Sequence, residues 1–329
     1  MKKMEDRKTN NFLSLRIRWA GFLGAFGFFV GAVSLVGFLS SFHWAFDLLC
    51  HFRFQYALSI SLVTLAFVIM RRWKSAALCG LVATINIATV VPLFIPVDTS
   101  VPSSGKIREA LHINVDRARG NKEAVRKLIE ERDPDLLQLC EISYAWMNEL
   151  EDLLERYPFR VVEERQDNFG IGLFSKHSFE KALITRIGPA DVPSCLAIVQ
   201  LPEATVTVIG THPIPPGGQR RSMLRDSQLE SLAAGIRKAT PPVILMGDLN
   251  VSPWSSHFQD LLKVSGLRDS GRGWGFQPTW GANNWFLWTP IDHFLHSEEI
   301  QIVRREIGPD VGSDHYPLVV RFTVVDGRE

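Results

Sequence analysis

The stretch VILMGDLN, residues 243–250, changes from apolar to polar at its end. The apolar run is typical of a buried strand, and Asp248 and Asn250 share one face because strand side chains alternate in direction. A single Asp after a strand is more often a turn former or a helix cap. The stretch therefore predicts a strand with a polar end. A functional site is inferred only if other strands also end in polar residues.

Three further strand-like stretches do end in polar residues. In LHINVD the period of two places His112, Asn114 and Asp116 on one face. In LLQLCEI, Glu141 follows five mostly apolar positions, and VTVIGTH ends in His212. Ligands of open α/β sheets bind at the carboxyl ends of strands, so these side chains are expected to share one site.

Two C-terminal motifs add to this pattern. TPIDHFL contains Asp292 and His293 in apolar surroundings, and GSDHYPLVV sets Ser313, Asp314 and His315 directly ahead of a strand. Acids, amides and imidazoles thus recur at strand ends over some 200 residues of the chain. We interpret them as parts of one polar site.

Helical and strand patterns alternate around these motifs. NKEAVRKLIEER, YAWMNELEDLLERY, RRSMLRDSQLESLAAGIRK and HFQDLLKVSG have helical patterns, whereas FRVVEE, FGIGLFSK, CLAIVQL, IQIVRREI and YPLVVRFTVV have strand patterns. Helices that follow strands at both ends of the region, with strand runs between them, predict an α/β domain with mixed sheets.

Six motifs in order carry a resemblance to a known superfamily. HINVD, LQLCEI, GTHP, MGDLN, IDHFL and GSDHYPL resemble the successive motifs of the endonuclease/exonuclease/phosphatase superfamily, which has the deoxyribonuclease-I-like fold. The resemblance covers about residues 107–325. It implies a four-layer sandwich of two mixed β-sheets flanked by helices, and metal-assisted hydrolysis of a phosphoester.

The resemblance also implies a metal site. Glu141 stands at the family's metal-binding position and is expected to be the first ligand, with Asn114 beside it. Asp116 and Asp314 are further candidate ligands. Such hard oxygen ligands suit Mg²⁺ or Mn²⁺, and Mg²⁺ takes only one or two carboxylates while it keeps several waters.

Five residues match the family's catalytic positions. His315 matches the histidine of the SDH motif, and Asp292 matches the carboxylate that fixes its tautomer, as a general base or a transition-state cation requires. Asp248 and Asn250 match the GDxN pair, which implies that Asp248 orients or deprotonates the water and Asn250 donates to the phosphate. His212 matches a histidine of the deoxyribonuclease and sphingomyelinase branches, which makes it the candidate acid for the leaving group.

Three residues have a simpler expected role. His112 and His293 match no motif and are expected to be structural or to support other site residues. Cys140 lies inside an apolar run, where a small buried hydrophobe is the expected role. Four cysteines in 329 residues do not predict a disulfide framework.

Charge divides the chain into two regions. The first 104 residues carry ten Lys or Arg and four Asp or Glu, and the remainder carries 26 and 31, so the net charges are +6 and −5. This split excludes a uniformly soluble protein, a disordered chain and a basic domain that coats nucleic acid.

Three uncharged runs, 19–39, 54–70 and 75–97, predict membrane-spanning helices. The second run, of 17 residues, also fits a buried core helix. No small-x-small cleavage site follows Leu39, so the first run is expected to be an uncleaved anchor. The predicted organisation is therefore a membrane region at 1–97, a Pro/Ser/Gly linker at 98–105 and the superfamily domain at 106–329.

Positive charges predict the orientation. Six Lys or Arg precede the first run and three lie between the second and third runs, whereas only Arg53 lies between the first and second. The positive-inside rule then predicts a cytoplasmic N-terminus. Three crossings of a bacterial plasma (inner) membrane would place the domain in the periplasm or cell exterior.

Two segments have more than one interpretation. The segment SSFHWAFDLLCHFRFQ is either a helix in the membrane interface or an extension of the second helix. The aromatic loop 274–288, with four Trp and two Phe, is a stacking platform for bases, a belt against lipid, or packing for the sheet edge.

The sequence thus predicts a membrane-anchored, divalent-metal-dependent phosphodiesterase or nuclease. Its substrate is a nucleic acid or a lipid head group, and membrane lipid is its other expected partner. The domain's charge of −5 argues against tight duplex binding. The alternative is a catalytically silent relative that binds a ligand or partner, but the presence of Glu141, Asp248 and His315 favours the enzyme.

Overall fold

The computed structural model describes residues 19–97, 99 and 106–325. Residues 19–97 form four helices, which we call the N-terminal bundle: α1 (Trp19–Val36), α2 (Trp44–Cys50), α3 (Arg53–Ile69) and α4 (Trp73–Val90). The six Lys and Arg residues before Trp19, and the predicted linker apart from Thr99, lie outside the described residues.

Residues 106–325 form the C-terminal domain. Its helices are α5 (Lys122–Arg132), α6 (Tyr144–Leu154), α7 (Gln219–Ile236) and α8 (Ser256–Ser265). Its strands are β1 (Arg108–Asn114), β2 (Leu136–Cys140), β3 (Phe159–Glu163), β4 (Ile171–Ser175), β5 (Phe179–Arg186), β6 (Pro193–Gln200), β7 (Thr205–Thr211), β8 (Val243–Asp248), β9 (Arg268–Asp269), β10 (Asp292–His296), β11 (Ile300–Ile307) and β12 (Leu318–Val324).

The strands form two mixed six-stranded sheets. Their orders are β11-β12-β1-β2-β4-β3 and β5-β6-β7-β8-β10-β9. Each sheet has one parallel pair, β1 with β2 and β7 with β8, and its other pairs are antiparallel. A helix, α5 or α7, connects the two strands of each parallel pair, as parallel strands require.

Three apolar clusters hold these layers together. The largest lies between the sheets and includes Ala110, Ile171, Val208, Ile244 and Phe322. A second packs α5 and α6 on the outside of one sheet, and a third packs α7 and α8 on the outside of the other. The domain is therefore an α/β sandwich of two mixed sheets flanked by helices, as the sequence predicts.

Two strands are absent from the sequence prediction. β5 is half-buried at a sheet edge, and its sequence FEKALITR mixes charged and apolar residues instead of forming an apolar run. β9 has two residues and pairs only with the end of β10. Neither strand leaves a pattern long enough to be recognised without its neighbours.

The three long helices of the N-terminal bundle, α1, α3 and α4, run in alternating directions. At one end, Arg53 at the start of α3 donates to the carbonyl of Ser34 in α1 (2.6 Å) and to Asn86 in α4. At the other end, Leu23 of α1 packs on Phe67 near the end of α3. The basic segment 71–74, which comprises the turn before α4 and the first two residues of α4, lies at that second end.

The described spans differ from the three predicted ones. Ala20–Leu39 and Trp73–Leu93 are each long and apolar enough to cross a membrane, and α3 meets that test only together with α2, from which it is bent by 64°. The described residues therefore contain two helices that could each cross a membrane, or three such spans if the bent pair counts as one. Residues 44–50 form a separate helix and do not extend α3.

Next to this bend, α2 makes a buried ion pair with the C-terminal domain. Asp47 Oδ2 lies 2.7 Å from Arg225 Nη2 of α7, and both side chains are 1% exposed or less. Ser255 also donates to Asp47. Removing one partner of such a pair leaves a buried charge and costs about 3–5 kcal/mol, although here Asp226 also pairs with Arg225.

Further contacts between the bundle and the domain surround this pair. They are a hydrogen bond of His51 with Ser252 (2.7 Å), a hydrogen bond from Trp254 to the Thr89 carbonyl (3.0 Å) and a stack of Phe54 on Phe276 (4.0 Å). The N-terminal bundle and the C-terminal domain are thus packed directly together.

Candidate active site

The sheet topology brings the polar strand ends together. Asn114 ends β1 and Glu141 follows its parallel neighbour β2, while His212 follows β7 and Asp248 ends β8. β10 is antiparallel to β8, and its first residue Asp292 is the register partner of Asp248. The two strands of a parallel pair end at the same edge of their sheet. The polar side chains at the ends of both parallel pairs, one pair in each sheet, meet in one site.

Asp292 lies between two histidines. Its Oδ2 is 2.8 Å from His315 Nδ1, and its Oδ1 is 2.7 Å from His112 Nε2. The carboxylate is fully buried. Thr279 Oγ1 accepts from the backbone N–H of Asp292 (2.9 Å), which fixes the start of β10. The predicted pair of His315 and Asp292 is therefore formed, and His112 joins it.

The charge on Asp292 and the charge on His315 stabilise each other. Burial alone disfavours the charged imidazolium, but the carboxylates of Asp292 and Asp248 outweigh it and raise the pKa of His315 to about 10. Burial likewise acts to raise the pKa of Asp292, but His315 and His112 hold it well below its usual range. His315 is thus an imidazolium at neutral pH.

Asp248 occupies the centre of the site. Its Oδ2 lies 3.2 Å from Asn114 Nδ2, 3.4 Å from His212 Nε2 and 3.6 Å from His315 Nε2. Its Oδ1 accepts the backbone N–H of Asn250 at 3.0 Å. Burial acts to lower the pKa of His212, but its hydrogen bond and attraction to Asp248 outweigh burial and raise it.

Glu141 fits a metal ligand by its surroundings. Its carboxylate accepts only long hydrogen bonds, from Asn114 Nδ2 and from the backbone of Arg117, each at 3.4 Å. Burial raises the pKa of Glu141, and no Lys or Arg among the described residues forms an ion pair with it. A carboxylate that is partly desolvated without a cation is suited to bind one, and its hard oxygens match Mg²⁺ or Mn²⁺.

A second group has metal-like spacing but a different role. Ligand atoms of Asp248, Asp292 and His315 lie within 4.8 Å of one another. Both oxygens of Asp292 are already bonded to imidazole nitrogens, so this carboxylate has little capacity left for an ion. This group is therefore better suited to hold protons and charge, and the surroundings of Glu141 are better suited to a metal ion.

The other two candidate ligands are joined by an arginine. Arg119 Nε donates to Asp116 at 2.6 Å, and its Nη2 lies 3.2 Å from Asp314. Asp116 also accepts from the backbone N–H groups of Ala118 and Arg119. Both carboxylates thus lie at the rim of the site, with their charge partly compensated.

Three site residues have a left-handed backbone. Among the described residues, six that are not glycine have positive φ, and these include Asp116 (45°), Glu141 (62°) and Asn250 (52°). This conformation is uncommon for non-glycine residues, above all for Glu, and backbone strain of this kind concentrates at functional sites. The backbone is therefore shaped to aim these three side chains.

Asn250 is held from two sides. Its Nδ2 donates to the carbonyl of Pro213 (3.0 Å), the residue after His212, and its own carbonyl accepts from Arg225 Nη1 (3.0 Å). The second hydrogen of Nδ2 is left for another acceptor. The backbone after β8 is thus tied to the backbone after β7.

Sequence reasoning left His112 without a motif role and overlooked Arg225. His112 bonds directly to Asp292, so it supports a site residue, which was one of its expected roles. Arg225 contacts the catalytic loop and pairs with Asp47, a single acid in an otherwise apolar stretch. Such an isolated charge in a membrane-type segment indicates a functional partner, and it could have been used.

Two sequence expectations concern residues outside the reacting group. His293 Nε2 bonds to the carbonyl of Val251 (2.8 Å) and its ring packs on Phe258, so it supports the catalytic loop as expected. Cys140 is a buried core residue, and all four cysteines are free.

The aromatic loop divides into packed and exposed parts. Trp274 packs against the inter-sheet core, and Phe276 stacks on Phe54 of α3. Trp280 pairs with the backbone of His315, and the next two N–H groups donate to the Asp314 carbonyl (3.0 and 3.1 Å). Trp285 and Phe286 stack on each other and are 59% and 61% exposed.

The domain shares its fold with solved structures. An endonuclease/exonuclease/phosphatase from Beutenbergia cavernae DSM 12333 matches with a TM-score of 0.55 at 16% identity, covering 67% of this chain and 72% of its own. D. rerio TDP2, complexed with a single strand DNA product, matches at 0.54 and 17%, covering 66% and 99%. A mutant beta toxin from Staphylococcus aureus with bound magnesium ions matches at 0.52 and 16%, covering 67% and 100%.

These identities show a common fold and no more. No curated protein matches the chain by sequence. The profile of the Endonuclease/Exonuclease/phosphatase family matches residues 111–315, which is more than half of the chain and extends from the first polar strand to His315. The chain therefore belongs to the endonuclease/exonuclease/phosphatase family.

Proposed function

We propose that this protein is a membrane-anchored, divalent-metal-dependent phosphodiesterase. The observation that carries the proposal is the arrangement of His315, His212 and Asn114 around the carboxylate of Asp248. Phosphodiester hydrolysis needs an activated water, neutralisation of charge on the phosphoryl oxygens and help for the leaving oxygen. This group and the neighbouring Glu141 offer each of these functions.

The protonation states support a division of roles. His315 is held as an imidazolium by Asp292 and is suited to stabilise charge on the phosphoryl oxygens. His212, whose pKa is raised chiefly by Asp248 against burial, is suited to protonate the leaving oxygen. These roles leave the Asp248 carboxylate to orient and deprotonate the attacking water. Asn250 donates to the phosphate.

Glu141 and Asn114 are the residues that we propose to hold the metal, with Asp116 and Asp314 nearby. A bound Mg²⁺ or Mn²⁺ would supply Lewis-acid neutralisation of phosphoryl charge. The magnesium ions bound in the beta toxin structure support this choice. In this structure, Asn114 Nδ2 donates to both Glu141 and Asp248 and its Oδ1 accepts from the Asp116 backbone N–H (3.1 Å), so Asn114 would bind the metal through Oδ1 only with its amide turned over.

The proposed location is a bacterial plasma membrane, with the domain on the outer side. Counting α2 with α3 as one bent span gives three crossings, and the up-down-up bundle is consistent with that count. The basic segment 71–74 then lies at the cytoplasmic end of the bundle, as the positive-inside rule requires.

Of the two substrate types, the exposed aromatic pair supports a lipid head group. Gln55, near the start of α3, donates to the carbonyl of Trp288 (2.7 Å), so the loop adjoins the apolar surface of the bundle. The base of the same loop is bonded to Asp314, beside His315. Exposed Trp and Phe between a membrane helix and the site are suited to the lipid interface.

Metal dependence is tested by Glu141→Gln. Because the change removes a charged oxygen ligand, we expect the Mg²⁺ or Mn²⁺ concentration for half-maximal activity to rise on the order of tenfold or more, with the fold retained. The assay is hydrolysis of a soluble nitrophenyl phosphodiester by detergent-solubilised protein. Glu149→Gln, an exposed change on α6, should leave the metal requirement unaltered. Full activity in EDTA would exclude the metal mechanism.

The histidine roles are tested with two ester types. His315→Ala should cost roughly 10²–10⁴-fold for both, because phosphoryl charge develops whichever group leaves. His212→Ala should cost much less for a nitrophenyl diester than for an alkyl diester, because nitrophenolate leaves without a proton. His177→Ala, outside the site, is the control. Equal losses for His212→Ala on both esters would contradict its role as the acid.

Orientation is tested with reporters. A reporter that is active only outside the cytoplasm should be active when fused after Glu329, because three crossings reverse the side of the chain. A reporter that is active only in the cytoplasm should be active when inserted between Arg71 and Arg72, in the turn before α4. The opposite pair of results would place the domain inside the cell.

Substrate type is tested by the double variant Trp285→Ser, Phe286→Ser. Because burial of each aromatic in lipid contributes about 1.5–3 kcal/mol, its loss should lower kcat/KM on vesicles of phosphatidylglycerol and phosphatidylethanolamine by at least about tenfold. The loss on the soluble diester should be several-fold smaller. Met223→Ser, an equally exposed apolar change on α7, is the control. A selective loss on single-stranded DNA would instead identify a base-stacking loop.

A further inference from the structure

We infer that Asp47 of the N-terminal bundle is a positioning residue for Asn250 of the active site, and that it acts through Arg225. The inference rests on the proposed function, because it concerns the same site. It assigns the bundle a part in catalysis in addition to anchorage.

A continuous hydrogen-bonded path joins the three residues. Asp47 Oδ2 accepts from Arg225 Nη2 at 2.7 Å, and Arg225 Nη1 donates to the Asn250 carbonyl at 3.0 Å. All three residues are at least nine-tenths buried, with Asp47 and Arg225 at 1% and 0% exposure. Water therefore competes little for these bonds, and one rigid guanidinium spans the distance from α2 to the catalytic loop.

Two carboxylates orient the guanidinium of Arg225. Asp226 accepts from its Nε and Nη2 at 2.8 and 2.6 Å, and Asp47 accepts from Nη2 on the side of the bundle. Because the guanidinium is planar, holding Nε and Nη2 also fixes the direction of the third nitrogen, Nη1. Nη1 is the nitrogen that donates to the Asn250 carbonyl. With Asp47 neutralised, Asp226 alone would keep the charge paired but would leave the plane of the fork less fixed.

The bond to Asn250 matters because this residue connects the two catalytic loops. Its backbone is left-handed (φ 52°), its N–H donates to Asp248 and its side chain donates to the Pro213 carbonyl beside His212. A shift of the Asn250 backbone would therefore move the hydrogen bonds of both Asp248 and the His212 segment. Displacements of about 1 Å at such a place cost on the order of 10²-fold in rate.

The bundle holds the residues after Asn250 at three more points. His51 Nδ1 is 2.7 Å from Ser252 Oγ, and Ser255 donates to the second oxygen of Asp47. The bundle thus contacts the loop 250–255 at Ser252, Trp254 and Ser255. These contacts support the conformation of the loop that begins at Asn250.

The test compares kinetic constants for a soluble nitrophenyl diester, with full-length protein in detergent. Asp47→Asn keeps the size of the side chain and removes its charge, and we expect kcat to fall about tenfold to a hundredfold with KM within about twofold of wild type. Val97→Ala is the matched control, because Val97 lies beside Gly273 at the same junction, apart from the hydrogen bonds and ring contacts between the bundle and the loop 250–255. It should keep kcat within about twofold.

A double variant separates positioning from stability. Asp47→Leu with Arg225→Met replaces the buried pair by apolar side chains of similar size, which is often neutral or stabilising for the fold. We expect its Tm in detergent to be near that of wild type while kcat stays as low as in Asp47→Asn. Wild-type kcat in this well-folded double variant would overturn the inference.

A double-mutant cycle identifies the residue through which Asp47 acts. Arg225→Met alone should lower kcat, and adding Asp47→Leu to it should lower kcat by no more than about a further twofold, because the two changes break one path. Independent, multiplying losses would contradict action through Arg225. If wild type hydrolyses no diester, the proposed function fails and the inference fails with it. If wild type is active and Asp47→Asn is equally active, the inference alone fails.

Discussion

The carboxylate of Asp292 is the constraint on which the site depends. It belongs to one sheet through β10, whereas His112 lies on β1 of the other sheet and His315 directly precedes β12 of that sheet. A fully buried carboxylate is costly unless it is compensated, so both imidazoles must stay in contact with it. The same interaction therefore fixes the two sheets against each other at their catalytic edge and keeps His315 charged.

Around this link, the site separates charge into two parts. On one side, the imidazoles of His212 and His315 face Asp248, and on the other side Glu141 has no ion-pair partner among the described residues. Asn114 lies between the two carboxylates and donates to both. Carboxylate–imidazole contacts thus lie on one side and a carboxylate without an ion-pair partner among the described residues lies on the other, and Glu141 and Asn250 both have a left-handed backbone.

The N-terminal bundle and the C-terminal domain share a polar junction in an otherwise apolar setting. Asp47 has its cationic partner in the C-terminal domain, whereas Arg225 also pairs with Asp226 of its own helix, so the contact of Asp47 with Arg225 favours one docked arrangement. Arg53 is compensated in another way, by the Ser34 carbonyl, Asn86 and the face of Phe38. Polar groups of this kind specify how the parts meet, and apolar packing such as Phe54 on Phe276 adds area without choosing a register.

Local patterns in the sequence determined the layered α/β fold, the apolar helices and the residues at the strand ends, because periodicity and strand-end polarity are encoded over a few neighbouring residues. They did not indicate β5 or β9, which have no apolar run of their own. Only the tertiary structure decided that His112 meets Asp292, 180 residues away, and that Asp47 meets Arg225, 178 residues away. Such contacts follow from how sheets and helices are stacked, and no spacing along the chain records which buried charge compensates which.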